Sequence, residues 1–402
     1  MKRSVFIIIG VVLVLILMAV WVYMLFFSTT ANIEEPQYGD LEVGDTTDPN
    51  YQDTINEKAE ESVVDVQSNQ RLQQLTTRPV AGFIELSAST TTPREVFYME
   101  VGTGHVYSID LTTGAEDRIS ATTITGAQTA EFSKNGLYVM VQTGFSSQKE
   151  FLLGELNVAS STLTTTELYE PITSFSSTND NQFLYSIQTN ASTVGKIFNP
   201  TEFTSETLFT LPLRETIIEW GSDVTDSHYV YPKTTWQLEN FAYQIQNGNA
   251  TRMTVSGYGM SVQGNDHSVL YSVNNNQEYQ SYIFNIKSKT AIKLPTAQIP
   301  EKCALGEGES PVTICANTEY QSTSLFPDSW YKGEVSSADR LWEISHDGKT
   351  AKFLIDTEQE SGRKLDITQL EVTDNEAYVY FVNRADRTLW VYERITADVN
   401  QN

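Results

Sequence analysis

Basic side chains are scarce in this sequence. Its 402 residues carry 26 Lys and Arg against 51 Asp and Glu, a net charge of −25 at pH 7. Because binding to phosphate backbones requires clustered Lys and Arg, this balance excludes nucleic acid as a partner and argues against docking on anionic lipid. Long stretches with helical periodicity are also missing after the first thirty residues, while Thr, Ser, Tyr, Val and Asn are abundant. That composition is typical of β-strands and turns.

Motifs for catalysis and cofactor binding are missing as well. The sequence contains no H-E-x-x-H, G-x-S-x-G or phosphate-binding loop, and no dinucleotide-binding motif in a strand–helix context. Its four histidines, His105, His228, His267 and His346, stand apart from any nucleophile or metal-ligand partner in the sequence. The Asp- and Asn-rich turns lack the spacing of a calcium-binding loop. We therefore expect no catalytic residue, no metal and no cofactor.

One long apolar run is present near the N-terminus. Val5–Phe27 contains no charged residue, Lys2 and Arg3 precede it, and the next basic residue is Lys58. This pattern predicts a transmembrane helix over 5–27, with residues 1–4 in the cytoplasm and the rest of the chain outside. The alternative is a cleaved signal peptide, whose apolar region is usually shorter. Residues 28–69 are strongly acidic and predict a disordered tether.

A repeat follows the tether. Its clearest copy, Ala130–Leu168, reads as four short strands separated by polar turns such as Ser133-Lys134-Asn135-Gly136. The apolar residue before the first turn recurs mostly at steps of 42 to 48 residues. It stands at Ile84, Phe132, Phe175, Trp220, Val262, Ala304 and Val372. A repeat of about 40–45 residues built of four strands is typical of propeller blades. The sequence therefore predicts an all-β fold: a seven-bladed β-propeller of four-stranded antiparallel blades over 70–395, followed by a tail over 396–402.

The last predicted blade lacks its outer strand, because only Ile395–Asn402 remain after its third strand. A spare strand, Arg71–Thr76, precedes the first blade. We predict that this segment pairs with the last blade and closes the ring, which would remove an exposed sheet edge.

Several segments resemble known propellers. AEFSKNGLYVMVQT resembles the turn and following strand of WD-repeat-like and TolB-like propellers, and DRLWEISHDGKTAKFL and RTLWVYE resemble their later strands. KCALGEGESPVTICA with FPDSWYKGEVSSADRLWEI is similar to membrane-anchored bacterial propellers, most of which are uncharacterised. The resemblance covers about residues 70–395, although the Gly-His and Trp-Asp hallmarks of WD repeats are absent. It implies the fold and the anchor but no reaction.

The two cysteines, Cys303 and Cys315, fall on the first two strands of the sixth predicted blade. Neighbouring antiparallel strands can bring two such residues within disulfide distance, and outside the cytoplasm the bond would persist. We favour a disulfide over two free thiols or a metal pair.

An aromatic-rich insertion, Asn317–Asp339, separates the second and third strands of that blade. Exposed Trp and Tyr on a loop often anchor a partner. The candidate partner-binding residues are Phe326, Asp328, Trp330, Tyr331 and Lys332. The alternative is a loop that packs on itself and covers the blade edge.

Together these features favour a membrane-tethered, extracytoplasmic propeller that binds or scaffolds a protein or peptide at the cell surface. The first alternative is a protein that binds carbohydrate or an envelope polymer. The second is a glycosidase or lyase with carboxylates on the propeller axis.

Overall fold

A computed structural model describes Met18 and residues 71–86, 94–145, 148–275, 278–306, 312–317, 325–373 and 375–394. Apart from Met18, these lie in one compact unit, Glu61–Asn402. The predicted span over 5–27 (except Met18), the tether over 28–69 and the tail over 396–402 fall outside the described residues. No helix within the described ranges is long and apolar enough to cross a membrane.

Six antiparallel sheets make up the described unit. Sheet I contains β2 (Val80–Leu86), β3 (Glu95–Glu100), β4 (Val106–Asp110) and β5 (Glu116–Ser120). Sheet II contains β6 (Ala127–Phe132), β7 (Tyr138–Thr143), β8 (Glu150–Asn157) and β9 (Thr162–Leu168). Sheet III contains β10 (Ile172–Ser177), β11 (Phe183–Gln188), β12 (Thr193–Asn199) and β13 (Thr204–Leu211).

The second half of the chain forms the other three sheets. Sheet IV contains β14 (Thr216–Glu219), β15 (His228–Pro232), β16 (Glu239–Gln246), β17 (Asn249–Gly264), β18 (Ser268–Asn275), β19 (Glu278–Asn285) and β20 (Thr290–Lys293). Sheet V contains β21 (Cys303–Leu305), β22 (Thr313–Asn317), β23 (Arg340–Ile344) and β24 (Ala351–Asp356). Sheet VI contains β25 (Ile367–Val372), β26 (Tyr378–Asn383), β27 (Leu389–Glu393) and β1 (Leu72–Gln74). Helices α1 (Asp328–Tyr331) and α2 (Thr357–Ser361), with 3-10 turns at Val158–Ser160 and Pro300–Lys302, complete the elements.

The repeated turn between the first and second strands has a local cause. In sheet II, Tyr138 N donates to Ser133 Oγ at 2.9 Å, and Gly136 takes a φ of 70°. In sheet VI, Tyr378 N donates to Thr373 Oγ1 at 3.1 Å in the same way. A hydroxyl that accepts from the backbone five residues ahead closes each turn without help from the rest of the fold.

Sheet IV differs from the others because its fourth strand, β17, is 16 residues long and has a different partner at each end. The first part of β17 pairs with β16 and the last part pairs with β18. Gly257 and Gly259 lie where the partner changes, and the register shifts between Tyr258 and Ser261. Gly259 takes a φ of 59°, a left-handed conformation that glycine adopts readily, so the strand bends here as it passes from one partner to the other.

The predicted closure by Arg71–Thr76 is confirmed. Strand β1 lies antiparallel to β27, with Leu72 opposite Tyr392, and Leu75 N donates to Leu389 O at 2.8 Å. The first strand of the unit therefore completes its last sheet, and the edge of β27 is covered.

Apolar clusters lie between consecutive sheets. They join I to II, II to III, III to IV, IV to V and V to VI, and a further cluster joins VI back to I. At the last contact the rings of Phe83 and Tyr380 are 6.0 Å apart. First strands approach closely, since a Cβ at Gly82 would lie 1.8 Å from the carbonyl oxygen of Ala130. The sheets therefore form a closed ring whose first strands converge.

The predicted disulfide is confirmed as well. Cys303 and Cys315 are opposite each other in β21 and β22, with their Cα atoms 4.0 Å apart, and their sulfur atoms are bonded. The pair is buried against Ile344 and Leu270, so it lies in the apolar layer between sheets IV and V.

Candidate functional site

The described part of the insertion, residues 325–339, is fastened to three sheets. Asp328 Oδ1 accepts from Trp236 N at 2.8 Å, and Asn274 Nδ2 donates to Phe326 O at 3.1 Å; both partners belong to sheet IV or its loops. Arg384, after β26 of sheet VI, donates from Nη2 to Trp330 O at 2.6 Å. The insertion itself connects two strands of sheet V. It therefore bridges several sheets rather than projecting from one.

The expectation of exposed aromatic anchors is wrong for two of the five candidate residues. Phe326 is 7% exposed and Trp330 is 5% exposed, and both pack against Tyr279 and Ile299. Burying a large aromatic side chain removes much apolar surface from water, so burial stabilises these two side chains more than exposure on a loop would. Residues 325–339 therefore pack onto neighbouring sheets through these two side chains.

The other three candidate residues differ in exposure. Asp328 is half-buried through its contact with Trp236, and Tyr331 is half-buried with its hydroxyl donating to Glu301 Oε1. Lys332 is exposed. Partner binding by these three residues stays a prediction.

A buried ionic cluster lies beneath the insertion. Lys302 is 2% exposed, and its Nζ donates to Ser337 Oγ, Asp339 Oδ2 and Asp366 Oδ1, each at 2.6 Å. Trp330 Nε1 also donates to Asp366 Oδ1 at 3.0 Å. The three hydrogens of the ammonium group are therefore all used.

The two carboxyl groups of this cluster respond differently to burial. Burial alone would raise the pKa of Asp366, but the nearby Lys302 ammonium outweighs it and holds that pKa below its usual value. Burial raises the pKa of Asp339 even though Lys302 opposes the shift. Arg384 Nη1 lies 3.5 Å from Asp366 Oδ2, so two cations and two carboxylates meet here.

A cavity of about 450 Å³ opens between sheets IV and V and reaches this cluster. Its apolar walls include Tyr279, Leu294, Ile299, Phe326, Trp330 and Trp342. Its polar lining includes Gln298, Lys302, Ser337 and Asp339, and Ala297 stands exposed at its edge. Volume and mixed lining both match those of small ligand sites in proteins.

Two buried polar atoms in the cavity wall have no hydrogen-bond partner. They are Asp339 Oδ1 and Gln298 Oε1, and each residue is 1% exposed. A buried acceptor left without a donor costs about 1–3 kcal/mol, so such atoms are uncommon. Both residues belong to the lining of the cavity.

A second group of acidic residues lies on the converging first strands. Glu85, Glu131 and Glu371 come from β2, β6 and β25 and influence one another electrostatically. Glu371 is exposed to solvent, and desolvation by nearby protein groups, followed by the Glu131 charge, raises its pKa to about 8. Ser177 donates to Glu131 Oε1 from its backbone N at 3.1 Å and its hydroxyl at 2.9 Å.

Glu219 on β14 lies in a further cavity of about 400 Å³, next to the turns around Asp223 and Asp266. Burial, followed by the charge of Glu301, raises the pKa of Glu219 to about 8. Among the described residues, no three His, Cys, Asp or Glu side chains are grouped so that they could hold a metal ion.

Sequence reasoning missed the ionic cluster because its members are far apart in the chain. A signal was present: Asp366 lies between Leu365 and Ile367, and Lys302 directly precedes Cys303. A charge flanked by apolar residues at a strand start is seldom left in the core without a partner.

Comparison with solved structures agrees with this architecture. Oligogalacturonate lyase from Vibrio parahaemolyticus superimposes with a TM-score of 0.52 and 10% identity, over 82% of this chain and 95% of the lyase. The fold is a β-propeller. The β-propeller domain of the Trilobed protease from Pyrococcus furiosus gives a TM-score of 0.46 and 10% identity, over 80% and 99% of the two chains. At these identities the likeness concerns the fold alone. No family model matches the sequence, and no curated protein does.

Proposed function

We propose that this protein is a membrane-tethered, extracytoplasmic, seven-bladed β-propeller that binds a protein or peptide partner without catalysing a reaction. The cavity between sheets IV and V is its binding site. The observation that carries the proposal is the pair of buried, unpartnered polar atoms, Asp339 Oδ1 and Gln298 Oε1, in the wall of an aromatic cavity.

The count of seven blades follows from dividing sheet IV in two. Strands β14–β16 with the first part of β17 make one four-stranded blade, and the rest of β17 with β18–β20 makes the next. A separate apolar cluster, which includes Tyr231 and Val262, packs these two halves together as the other clusters pack neighbouring sheets. The five remaining sheets are one blade each.

The membrane tether is supported by the uncharged run over 5–27 and the basic residues before it. The Cys303–Cys315 disulfide supports an extracytoplasmic propeller, because such bonds persist in oxidising compartments and are rare in the cytosol. Labelling intact cells with a membrane-impermeant lysine reagent tests this topology. We expect the exposed Lys332 to be modified without lysis; protection of Lys332 until the cells are broken would contradict it.

Site-specific photo-crosslinking tests the binding site. A photoreactive phenylalanine analogue replaces Ala297 at the cavity edge or, as a control, Leu137, which is exposed on sheet II. Both positions face solvent, so neither change should disturb folding. We expect a discrete protein adduct from position 297 in intact membranes and none from position 137. Equal adducts from both positions, or none from either, would contradict a binding site at this cavity.

A second candidate function is favoured by the carboxyl groups on the first strands. A carboxyl group with a pKa near 8 is protonated at neutral pH and can act as a general acid beside an ionised neighbour, as glycosidases and lyases require. Glu371 has such a raised pKa, and Glu131 beside it, whose own pKa burial also raises, accepts two hydrogen bonds from Ser177 that favour its ionised form. Cleavage of a soluble polysaccharide by the protein, lost in Glu371→Gln but kept in the exposed control Glu167→Gln, would favour this enzyme over the binding module.

A further inference from the structure

We propose that the cavity between sheets IV and V receives an uncharged, hydrogen-bond-donating side chain of the partner, such as a phenol or a primary amide. Its donor group would bind Asp339 Oδ1 at the inner end of the cavity. This inference rests on the proposed binding function and specifies the chemistry of its ligand.

The charges at the inner end exclude a charged ligand group. Lys302 and Arg384 balance Asp339 and Asp366, and the four side chains already contact one another. A cation or an anion that reaches this inner end would leave water without gaining an unpaired countercharge, because the other charged lining residues, Glu278, Lys293 and Arg340, are exposed or half-buried. The desolvation of a charged group costs several kcal/mol, so an uncharged group is favoured.

The unpartnered polar atoms of the cavity determine which hydrogen bonds that uncharged group must form. An ionised carboxylate only accepts hydrogen bonds, so Asp339 Oδ1 requires a donor. Gln298 bonds to Thr296 Oγ1 at 2.7 Å through one end of its amide, and the other end has no partner whichever way the amide is turned. A primary amide has one hydrogen for each of these acceptors, whereas a phenol hydroxyl donates to Asp339 and accepts from Gln298 once the Gln298 amide is turned round.

The walls indicate a single side chain rather than a sugar. Lys302 and Arg384 lie over the Trp330 ring at 5.0 and 4.6 Å, and Tyr279 packs edge-on against Phe326 at 4.8 Å. The large ring faces are therefore engaged within the protein. A pyranose carries several hydroxyl groups that each need a partner, whereas two unpartnered atoms are offered here. A mostly apolar side chain with one polar group at its tip would pack against the apolar walls and form a hydrogen bond at the inner end.

Four small probes of similar size test this chemistry on the full-length protein in detergent. Phenol and benzamide are uncharged donors, benzoate is an anion and benzylammonium is a cation. Saturation-transfer NMR titrations give their relative affinities. We expect phenol and benzamide to bind at least tenfold more tightly than both charged probes. Equal or tighter binding of a charged probe, or no binding of phenol and benzamide, would overturn the proposal.

Two variants assign the binding to this cavity. Gln298→Met keeps the volume and removes the unpartnered amide atom, and we expect it to weaken benzamide binding about five- to tenfold. Gln188→Met makes the same change at another partly unpartnered glutamine, on β11, and should leave binding unchanged. Asp339→Asn turns an amide NH₂ toward the cavity and should weaken binding further. Because that variant can lose stability, Gln298→Met decides the question, and unchanged benzamide affinity in it would overturn the inference.

The outcomes also separate this inference from the proposed function. Displacement of benzamide by methyl β-glucoside would show a sugar site and overturn the inference. If position 297 yields no protein adduct while the probes bind in the expected order, the partner proposal fails and the cavity chemistry stands. If an adduct forms but charged probes bind best, only the inference fails.

Discussion

Replacing Lys302 with methionine tests whether the buried ionic cluster stabilises the propeller. Methionine fills a similar volume but donates no hydrogen bond. In the variant Asp339 keeps its bond from Ile367 N at 2.7 Å, and Asp366 keeps those from Trp330 and Ser337. Both carboxyl groups lose the ammonium 2.6 Å away. Removing one partner of a buried ion pair costs about 3–5 kcal/mol, and we expect a loss of that size.

The loss should depend on pH in a defined direction. Without the cation, burial raises the folded-state pKa of both carboxyl groups above their unfolded values. Such groups contribute stability below the unfolded pKa and lose it as the pH rises through the folded pKa. In the wild type, the lowered pKa of Asp366 has the opposite effect, because its contribution disappears as the pH falls. The deficit of Lys302→Met should therefore shrink as the pH falls from 7 to 4.

Urea unfolding followed by circular dichroism at both pH values measures the effect. The matched control is Lys349→Met, since Lys349 is 66% exposed and pairs with Asp347 at 3.0 Å on the surface. That pair should contribute little to stability, because both of its side chains are exposed to solvent. If the two variants lose the same small amount at pH 7, Lys302 does not hold the cluster together and the reasoning is refuted.

Three further predictions concern stability. Deleting residues 71–76 uncovers β27 and removes the buried side chains of Leu72 and Leu75, each of which contributes about 1.5–3 kcal/mol to stability. We expect calorimetry to show a much lower melting temperature. An unchanged melting curve would contradict ring closure. Replacing Cys303 and Cys315 together with alanine should cost about 2–3 kcal/mol in urea unfolding, whereas no loss would mean that the strands alone hold this loop. Burial raises the pKa of Glu219 from 4.5 to about 8, so the stability of the wild type should fall as the pH rises between these values. In Glu219→Gln this fall should be smaller by about 1–3 kcal/mol. Parallel pH profiles of the two proteins would show that Glu219 ionises normally.

The sequence by itself determined the features that depend on local chemistry. The turn at Ser133–Gly136 and its counterpart at Thr373 close through bonds within five residues, so their spacing revealed the repeat. The alternation of apolar residues then placed Cys303 and Cys315 on neighbouring strands and identified Arg71–Thr76 as a spare strand. Closure followed because a ring with one strand missing has only one edge to cover.

Tertiary structure alone decided the burial of the insertion and the make-up of the cavity. Nothing local distinguishes a buried Trp330 from an exposed one, because Tyr279, Lys302 and Arg384, which surround it, lie far from it in the sequence. The contacts of Lys302 with Asp339 and Asp366 span 37 and 64 residues of sequence. Charge pairing acts through space, so a repeat pattern that fixes where strands begin does not reveal which charged side chains the closed ring brings together.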